Sequence, residues 1–267
     1  MRAKKALGQH FLTHGPLLDK IAVATEAGPD DVVLEIGPGP GGLTRALLET
    51  GATVVAIEKD PRMAEGLLRQ FGTAAFALVE GDALALPWHE LVAPWTALGK
   101  RWRVAGNIPY YITSPLLDKA LTAPLPATVT YLVQKEVADR VVAPAGSDAY
   151  GALSIGIQAV ADPTRCFIVG KGAFAPPPKV DSAVLHLVPR ADPLVQPEQI
   201  PAFRTLVTSL FSYRRKRMHR ALREALGVDA EGASALCAAA QLDPDARPET
   251  VTPEGFVRLL KAVKGEG

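Results

Sequence analysis

Four consecutive residues, Asn107 to Tyr110 (Asn-Ile-Pro-Tyr), carry groups that can activate an aromatic amine. Such an amine is a poor nucleophile because its lone pair is delocalised into the ring. The Asn107 side-chain oxygen and a backbone carbonyl, that of Ile108 or Pro109, can accept its two N–H bonds and so aim the lone pair at an electrophilic methyl group. Pro109 stiffens the loop, and Tyr110 offers a flat ring for an unstacked base. In isolation, an ordinary turn would be the better interpretation of the tetrapeptide.

A glycine-rich segment lies upstream, where Gly37, Gly39 and Gly42 match the pattern GxGxxG. The pattern indicates a strand that turns tightly into a helix, with a backbone bare enough for a ligand to approach. Alone it is a weak signal, and a tight turn without a ligand is the alternative. Glu58 ends the next β-branched run, and its carboxylate can accept hydrogen bonds from both hydroxyls of a ribose. The glycine pattern together with Glu58 therefore predicts a ligand that carries a ribose.

Asp82 follows a third apolar run, so that acidic residues stand at two successive strand ends. Together with the glycine segment they should cluster along the carboxyl edge of the sheet, where open α/β folds bind ligands. An NAD-dependent dehydrogenase would share these features and is the competing enzyme hypothesis. The Asn-Ile-Pro-Tyr segment after the fourth strand favours amine modification, because no dehydrogenase chemistry needs it.

The elements that must position these residues alternate between strands and helices. Strands are predicted at residues 31–36, 53–57, 75–79, 102–105, 128–133, 164–170 and 182–188, and helices at 16–27, 43–49, 61–70 and 135–142. This order predicts an α/β fold with a parallel sheet and helices on both faces. The proline-rich segment 189–201 reads as a linker, and only helical patterns follow it. We therefore predict a domain boundary near residue 194.

Composition limits the class of protein but not its partner. Of 267 residues, 48% are hydrophobic and 21% charged, which is typical of a soluble globular protein, and the net charge of +1 indicates no particular partner. No stretch approaches the length of a membrane helix, and no long apolar run follows the basic N-terminus. Cys166 and Cys237 are far apart and lack metal-ligand spacing, which predicts two reduced core thiols and no metal site. We expect a cytoplasmic protein without a membrane partner.

A dense basic cluster lies near the C-terminus and consists of Arg214, Arg215, Lys216, Arg217 and Arg220. On one continuous ideal helix, an apolar stripe forms from Val207, Phe211, Met218, Leu222 and Leu226. Lys216, Arg217 and Arg220 then point to solvent. A solvated helix face is the alternative, but the density of positive charge favours contacts with RNA phosphates. Arg2, Lys4 and Lys5 could add a basic arm.

Phe174 begins a proline-rich loop, Phe-Ala-Pro-Pro-Pro-Lys-Val-Asp-Ser, that ends at Ser182. Its ring could close the second face of a bound base. Equally, it could pack inward while the prolines only separate two strands. The sequence does not decide between these interpretations.

Taken in order, these segments resemble the bacterial small-subunit ribosomal RNA adenine dimethyltransferases over nearly the whole chain. The matching segments are Gly8–Leu12, Glu35–Gly39, Glu58, Gly81–Ala83, Asn107–Tyr110, Gln134–Ala138, Tyr150–Gly151 and Phe174–Ser182. The resemblance implies a Rossmann-like, seven-stranded methyltransferase sheet in residues 1–194 and a small all-α RNA-binding domain in residues 195–267. It implies S-adenosylmethionine as the methyl donor and no metal.

The resemblance also implies the reaction and the role of each residue. The exocyclic N6 of two adjacent adenosines near the 3′ end of 16S rRNA would be dimethylated, with the immature 30S subunit as partner. The sequence does not determine the oligomeric state, and a monomer is the expectation. By position, the donor site would include His10, Leu12, Gly37, Gly39, Glu58, Asp82 and Asn107. Glu58 would hold the donor ribose and Asp82 its adenine amine. The target base would be handled by Asn107, Pro109, Tyr110 and Phe174.

Three positions depart from the family pattern. His10 and Tyr111 stand where the family usually has Asn, and the run 217–220 (Arg-Met-His-Arg) replaces Thr-Leu-Arg-Asn. None of these changes removes a proposed catalytic group. The related antibiotic-resistance methylases of large-subunit RNA share the glycine segment and Asn-Ile-Pro-Tyr, but the proline-rich loop and the C-terminal region favour the small-subunit enzyme. An assembly factor that binds RNA without turnover is a third hypothesis, which the intact Asn107 disfavours as the sole role.

Overall fold

A computed structural model describes residues 10–265 of the chain, which divide into two compact units. The first unit contains residues 10–138 and 164–189, and the second contains residues 139–163 and 190–265. The second unit therefore includes residues 139–163 beside the C-terminal helices, which the predicted boundary near residue 194 does not anticipate. The basic arm expected at Arg2, Lys4 and Lys5 lies outside the described residues.

The described residues form a seven-stranded sheet and a separate two-stranded sheet. The strands are β1 (Phe11–Leu12), β2 (Asp31–Ile36), β3 (Thr53–Glu58), β4 (Phe76–Glu80), β5 (Arg101–Asn107), β6 (Val129–Gln134), β7 (Ala161–Val169), β8 (Phe174–Ala175) and β9 (Ser182–Pro189). The large sheet has the order β4-β3-β2-β5-β6-β9-β7. All seven predicted strands are present, each within a few residues of its predicted bounds.

The large sheet is mixed and not wholly parallel as predicted. The five neighbouring strands β4, β3, β2, β5 and β6 run parallel to one another. Strand β9 pairs antiparallel with β6. A continuous apolar run shows that a strand is buried on both faces but carries no information about its direction. Every residue of β2 and β3 is buried, as expected for central strands covered on both sides.

Helices flank the strands and complete the chain. The helices are α1 (Gly15–Ala24), α2 (Gly42–Glu49), α3 (Pro61–Phe71), α4 (Trp88–Thr96), α5 (Thr113–Ala120), α6 (Lys135–Val141), α7 (Ala152–Gln158), α8 (Ile200–Phe211), α9 (Met218–Leu226), α10 (Ala230–Ala239) and α11 (Pro253–Lys264). Helices α1, α2, α3 and α6 match the predicted helices. No helix within residues 10–265 is long and apolar enough to cross a membrane.

The small sheet joins two distant segments of the first unit. Strand β1 pairs antiparallel with β8, and the register places Leu12 opposite Phe174. The Thr13 N–H extends this pairing with a hydrogen bond of 3.1 Å to the carbonyl of Ala173. The proline-rich loop therefore holds the segment that leads into α1.

In the second unit, α7 to α11 pack around an apolar centre. Phe203, Leu210 and Phe256 are fully buried there, and the buried hydroxyl of Tyr150 donates a hydrogen bond of 2.8 Å to the carbonyl of Val251. Because the polar end of Tyr150 has a partner, its large ring can be buried at little cost.

The single helix predicted through the basic cluster is wrong. Helix α8 ends at Phe211 and α9 begins at Met218, so that residues 212–217 form a turn. The carbonyls of Ala246 and Pro244 accept hydrogen bonds from the N–H groups of Met218 and His219. These long-range partners replace bonds within one helix, and Met218 still reaches the core, where it is fully buried.

The prediction of two core thiols is wrong for one cysteine. Cys237 is buried, but Cys166 is exposed on β7, the outermost strand of the large sheet. Most residues of β7 between its two buried ends are exposed or half-buried, so that an apolar-looking segment at the edge of the sheet still presents residues to solvent.

Candidate active site

A cavity, partly open to solvent, lies where β2, β3 and β5 end. Ligand sites of open α/β sheets occupy this edge. The cavity brings together predicted residues from distant parts of the chain, namely His10, Leu12, Gly37, Gly39, Glu58, Asp82, Asn107, Pro109 and Tyr110. These residues, which the sequence analysis assigned to one site, therefore line one cavity.

The glycine loop between β2 and α2 forms one wall of this cavity. Gly37, Gly39 and Gly41 have φ values of 67°, 54° and 85°, which side-chain-bearing residues rarely adopt. A Cβ on Gly39 would lie 3.0 Å from the Phe11 ring, and one on Gly41 would lie 2.5 Å from the Phe71 ring. Side chains at Gly39 and Gly41 are thus excluded by packing, whereas a Cβ on Gly37 would meet nothing within 4 Å. Gly41 occupies an unspecified position of the GxGxxG pattern. It adopts a left-handed backbone conformation immediately before the first residue of α2.

Glu58 is fixed at the end of β3 by two backbone donors. The Gly39 N–H donates to Oε2 at 3.1 Å, and the Asp60 N–H donates to Oε1 at 2.8 Å. The side chain is only 4% exposed, and burial raises the pKa of its carboxyl despite these bonds. Each oxygen retains a second lone pair, so that the carboxylate can still accept two hydroxyls of a ribose.

Asp82 stands at the opposite rim and forms an ion pair with Lys59. The Lys59 ammonium donates to Oδ2 at 2.8 Å, and the Leu84 N–H donates to Oδ1 at 2.9 Å. The bond from Lys59 lowers the pKa of Asp82, so that it remains an ionised acceptor. Sequence reasoning missed Lys59, although its position directly after Glu58 places it at the same strand end.

The orientation of the Asn107 amide is determined by one hydrogen bond. Its Nδ2 donates at 2.9 Å to the carbonyl of His10. A carbonyl only accepts, so the amide nitrogen must point toward it and Oδ1 remains available as an acceptor. Gly106 allows β5 to approach β2 at this point, since a Cβ there would lie 2.5 Å from the carbonyl of Ile36.

Tyr110 is half-buried, and both its ring and its hydroxyl are held. The hydroxyl lies 2.7 Å from Ser182 Oγ, and burial raises the pKa of the phenol. The His10 ring stacks on Tyr110 with a centroid separation of 5.9 Å and an interplanar angle of 24°. His10 Nδ1 also donates to the carbonyl of Pro176 at 2.8 Å. His10 thus contacts the Asn107–Tyr110 segment as well as lining the cavity.

Glu35 is a second buried carboxyl at the cavity that sequence reasoning did not use. It is 1% exposed, and the Thr44 hydroxyl donates to its Oε2 at 2.6 Å. Burial raises its pKa to about 8, an effect that the Thr44 bond opposes and the nearby Glu58 reinforces. The available signal was an acidic residue inside an otherwise apolar strand.

Phe174 adopts the inward of its two predicted positions. Its side chain is 4% exposed and belongs to the apolar core that contains Leu12 and Val184. It is not among the residues that line the cavity, so the structure agrees with the inward interpretation and corrects the expectation that this ring closes over a base. The β1–β8 pairing explains the burial, because Phe174 lies opposite Leu12 and is covered by it.

Comparisons with known proteins agree with this geometry. Residues 1–264 match the family model described as ribosomal RNA adenine dimethylase. The chain belongs to this family. The ribosomal RNA small subunit methyltransferase A of Phenylobacterium zucineum is 46% identical over 97% of this chain and 88% of its own length. The corresponding protein of Nitratidesulfovibrio vulgaris is 43% identical over 98% of this chain and 97% of its own.

Two solved structures resemble both units. A dimethyladenosine transferase from Plasmodium falciparum has a TM-score of 0.77 and 27% identity, covering 97% of this chain and 98% of its own. The 23S rRNA methyltransferase ErmE has a TM-score of 0.72 and 28% identity, covering 95% and 99%. As a member of the dimethylase family, this chain is an S-adenosylmethionine-dependent rRNA adenine dimethyltransferase. The dehydrogenase hypothesis is therefore rejected.

The basic cluster lies in the second unit. Arg214, Arg215 and Lys216 are exposed in the turn between α8 and α9. Arg217 pairs with Asp245 at 2.9 Å, and Arg220 lies 3.6 Å from Glu224. The turn therefore presents the three positive charges at 214–216 directly to solvent, while the other two have acidic neighbours.

Proposed function

We propose that this dimethyltransferase adds two methyl groups to the N6 atom of each of two adjacent adenosines near the 3′ end of 16S rRNA. The substrate would be the immature 30S subunit in the cytoplasm, and the enzyme would act as a monomer. The names of the curated relatives support small-subunit RNA as the substrate. The observation that carries the mechanism is the Asn107 amide, whose hydrogen bond to the His10 carbonyl leaves Oδ1 available.

The cavity fits a nucleoside donor on its own geometry. The bare backbone at Gly37 allows close approach, because it lines the cavity and a Cβ there would meet nothing within 4 Å. Glu58 would accept the two ribose hydroxyls, and Asp82 would accept from the adenine amine. His10, Leu12, Gly37 and Asn107 would complete this site. S-adenosylmethionine supplies a methyl group that its sulfonium has already activated.

The target amine would be held by acceptors at the end of β5. Asn107 Oδ1 and the carbonyl of Ile108 or Pro109 would accept its two N–H bonds, so that its lone pair points at the methyl group. Positioning of this kind can supply ~7–11 kcal/mol of barrier lowering. After transfer, the methylated amine loses a proton to water readily, so that no buried base is required.

The target adenine must leave its stack before it reaches Asn107. Enzymes that modify bases extrude them and bind them against aromatic or apolar side chains. The Tyr110 ring, fixed by its hydroxyl at Ser182, is the surface on which the extruded base would lie. Phe174 would act indirectly, because its burial against Leu12 holds the N-terminal strand that supports His10.

RNA affinity would come chiefly from the second unit. We propose that residues 195–267 carry the RNA-binding role and that the methyltransferase role lies within residues 1–194, of which residues 139–163 belong to the second unit. The exposed turn at Arg214, Arg215 and Lys216 would neutralise phosphates, with Arg217 and Arg220 beside it. Phosphate contacts carry no sequence information but position the RNA.

Labelled S-adenosylmethionine and unmethylated small subunits test this proposal. We expect label in N6,N6-dimethyladenosine at two adjacent positions of 16S rRNA after nucleoside analysis and sequencing. Deproteinised 16S rRNA and mature subunits serve as parallel substrates and test the preference for an assembly intermediate. Label in large-subunit RNA, or methylation at a single isolated adenosine, would contradict the proposed specificity.

A further inference from the structure

Tyr111 is an exposed aromatic residue at the mouth of the cavity. It lies in the 3-10 turn 110–112, directly after Tyr110, and lines the same cavity. Whereas Tyr110 is half-buried and bonded through its hydroxyl to Ser182, Tyr111 is 62% exposed. The family resemblance leads one to expect Asn here, so that this chain carries a large ring where a small amide is usual.

The surroundings of Tyr111 suit a nucleic-acid strand. Lys59 lines the same cavity, where its ammonium donates to Asp82 Oδ2 at 2.8 Å. The cavity wall therefore combines an exposed aromatic ring with an ammonium group. Aromatic rings beside positive charge are the usual means by which proteins hold unpaired nucleotides.

From this placement, we propose that Tyr111 stacks on a nucleobase adjacent to the target adenine. The inference rests on the proposed function, because it requires an RNA whose target base is extruded onto Tyr110. Extrusion breaks the stack on at least one side of the neighbouring nucleotide. The next residue of the same turn offers that nucleotide a replacement surface, continuous with the cavity. If two adjacent adenosines are modified in turn, Tyr111 would hold one while Tyr110 holds the other.

Three substitutions separate the ring from the hydroxyl and from general surface effects. Tyr111→Ala removes the ring, Tyr111→Phe keeps it, and Leu98→Ala removes another exposed apolar side chain, 79% exposed after α4. For Tyr111→Ala we expect KM for small subunits to rise about tenfold, as loss of one base–aromatic stack implies. Its kcat and its dissociation constant for S-adenosylhomocysteine should stay at wild-type values. Tyr111→Phe should restore the KM, and Leu98→Ala should not change it.

A chemical deletion in the RNA tests the contact itself. Fragments of 16S rRNA with one abasic nucleotide, placed at either target position or on either side of the target pair, are bound by wild type and by Tyr111→Ala. We expect the affinity difference between the two proteins to vanish when the stacked base is absent. A structural role for Tyr111 would leave that difference unchanged.

Two results would overturn the inference. One is a wild-type KM for Tyr111→Ala. The other is a weakened donor affinity with an unchanged RNA KM, which would place the ring in the donor site. The wild-type enzyme in the same assay reports on the proposed function separately, because its failure to form dimethyladenosine removes that function together with the inference. Normal wild-type activity beside a normal Tyr111→Ala variant removes the inference alone.

Discussion

Replacement of Glu35 by Gln should change how the stability of the protein depends on pH. The carboxyl is fully buried behind the glycine loop, and burial raises its pKa from an ordinary value of 4.5 to about 8. The folded state therefore binds a proton that the unfolded state has already released. Stability from this group is fully present below pH 4.5, and it is lost as the pH rises toward 8.

The size of the effect follows from the change in pKa. Each tenfold difference in proton affinity is worth about 1.4 kcal/mol, so that the full loss is on the order of 5 kcal/mol. Glutamine has nearly the same shape and can still accept the Thr44 hydroxyl, which donates at 2.6 Å in the wild type. Glu35→Gln should therefore unfold with similar stability near pH 5 and become the more stable protein near pH 8.5.

Urea unfolding at intervals between pH 5 and pH 9 measures this difference. Glu49→Gln, at the exposed end of α2, is the matched control and should follow the wild-type curve. The difference between wild type and Glu35→Gln cancels the titration of all other groups. Parallel curves for these two proteins would refute the argument, because they would show that Glu35 is ionised in the folded protein throughout this range.

Three further outcomes are expected. Glu58→Ala should weaken S-adenosylhomocysteine binding by ~10- to 100-fold in calorimetry, because charge-assisted hydrogen bonds to the ribose are lost; an unchanged dissociation constant would exclude the ribose contact. Lys59→Met should move the acid limit of donor binding to higher pH, since Lys59 lowers the pKa of Asp82; identical pH profiles would show that Asp82 does not contact the donor. Replacing residues 214–216 with Ala should lower the salt dependence of RNA binding by about 2 in log–log slope, at ~0.7 per lost phosphate contact; a wild-type slope would remove the turn from the RNA interface.

The sequence predicted the strands well because central strands are buried on both faces. Runs such as Asp31–Ile36 and Thr53–Glu58 are mainly apolar and end at glycine or acidic residues, which locates the carboxyl edge of the sheet. Residues that follow those ends converge by topology alone, which is why Glu58, Asp82 and Asn107 could be assigned to one site. The antiparallel direction of β9 has no such signature.

What the sequence could not predict depends on contacts between distant segments. The burial of Phe174 follows from a two-residue strand pairing with Leu12, across more than half of the chain. The turn at residues 212–217 follows from hydrogen bonds to Pro244 and Ala246, whereas the local pattern is helical. The neutral form of Glu35 likewise depends on complete burial, which its position in a short apolar run only suggests.

Single-turnover methyl transfer by Asn107→Ala, at saturating donor, tests the central claim most directly. The amide is oriented by its bond to the His10 carbonyl, which leaves Oδ1 available for the proposed contact with the amine of the target. We expect transfer to small-subunit RNA to slow by ~100- to 1000-fold, as when one preorganised hydrogen-bonding group is removed from a reacting centre. A rate close to that of the wild type, with donor and RNA both bound, would contradict the account.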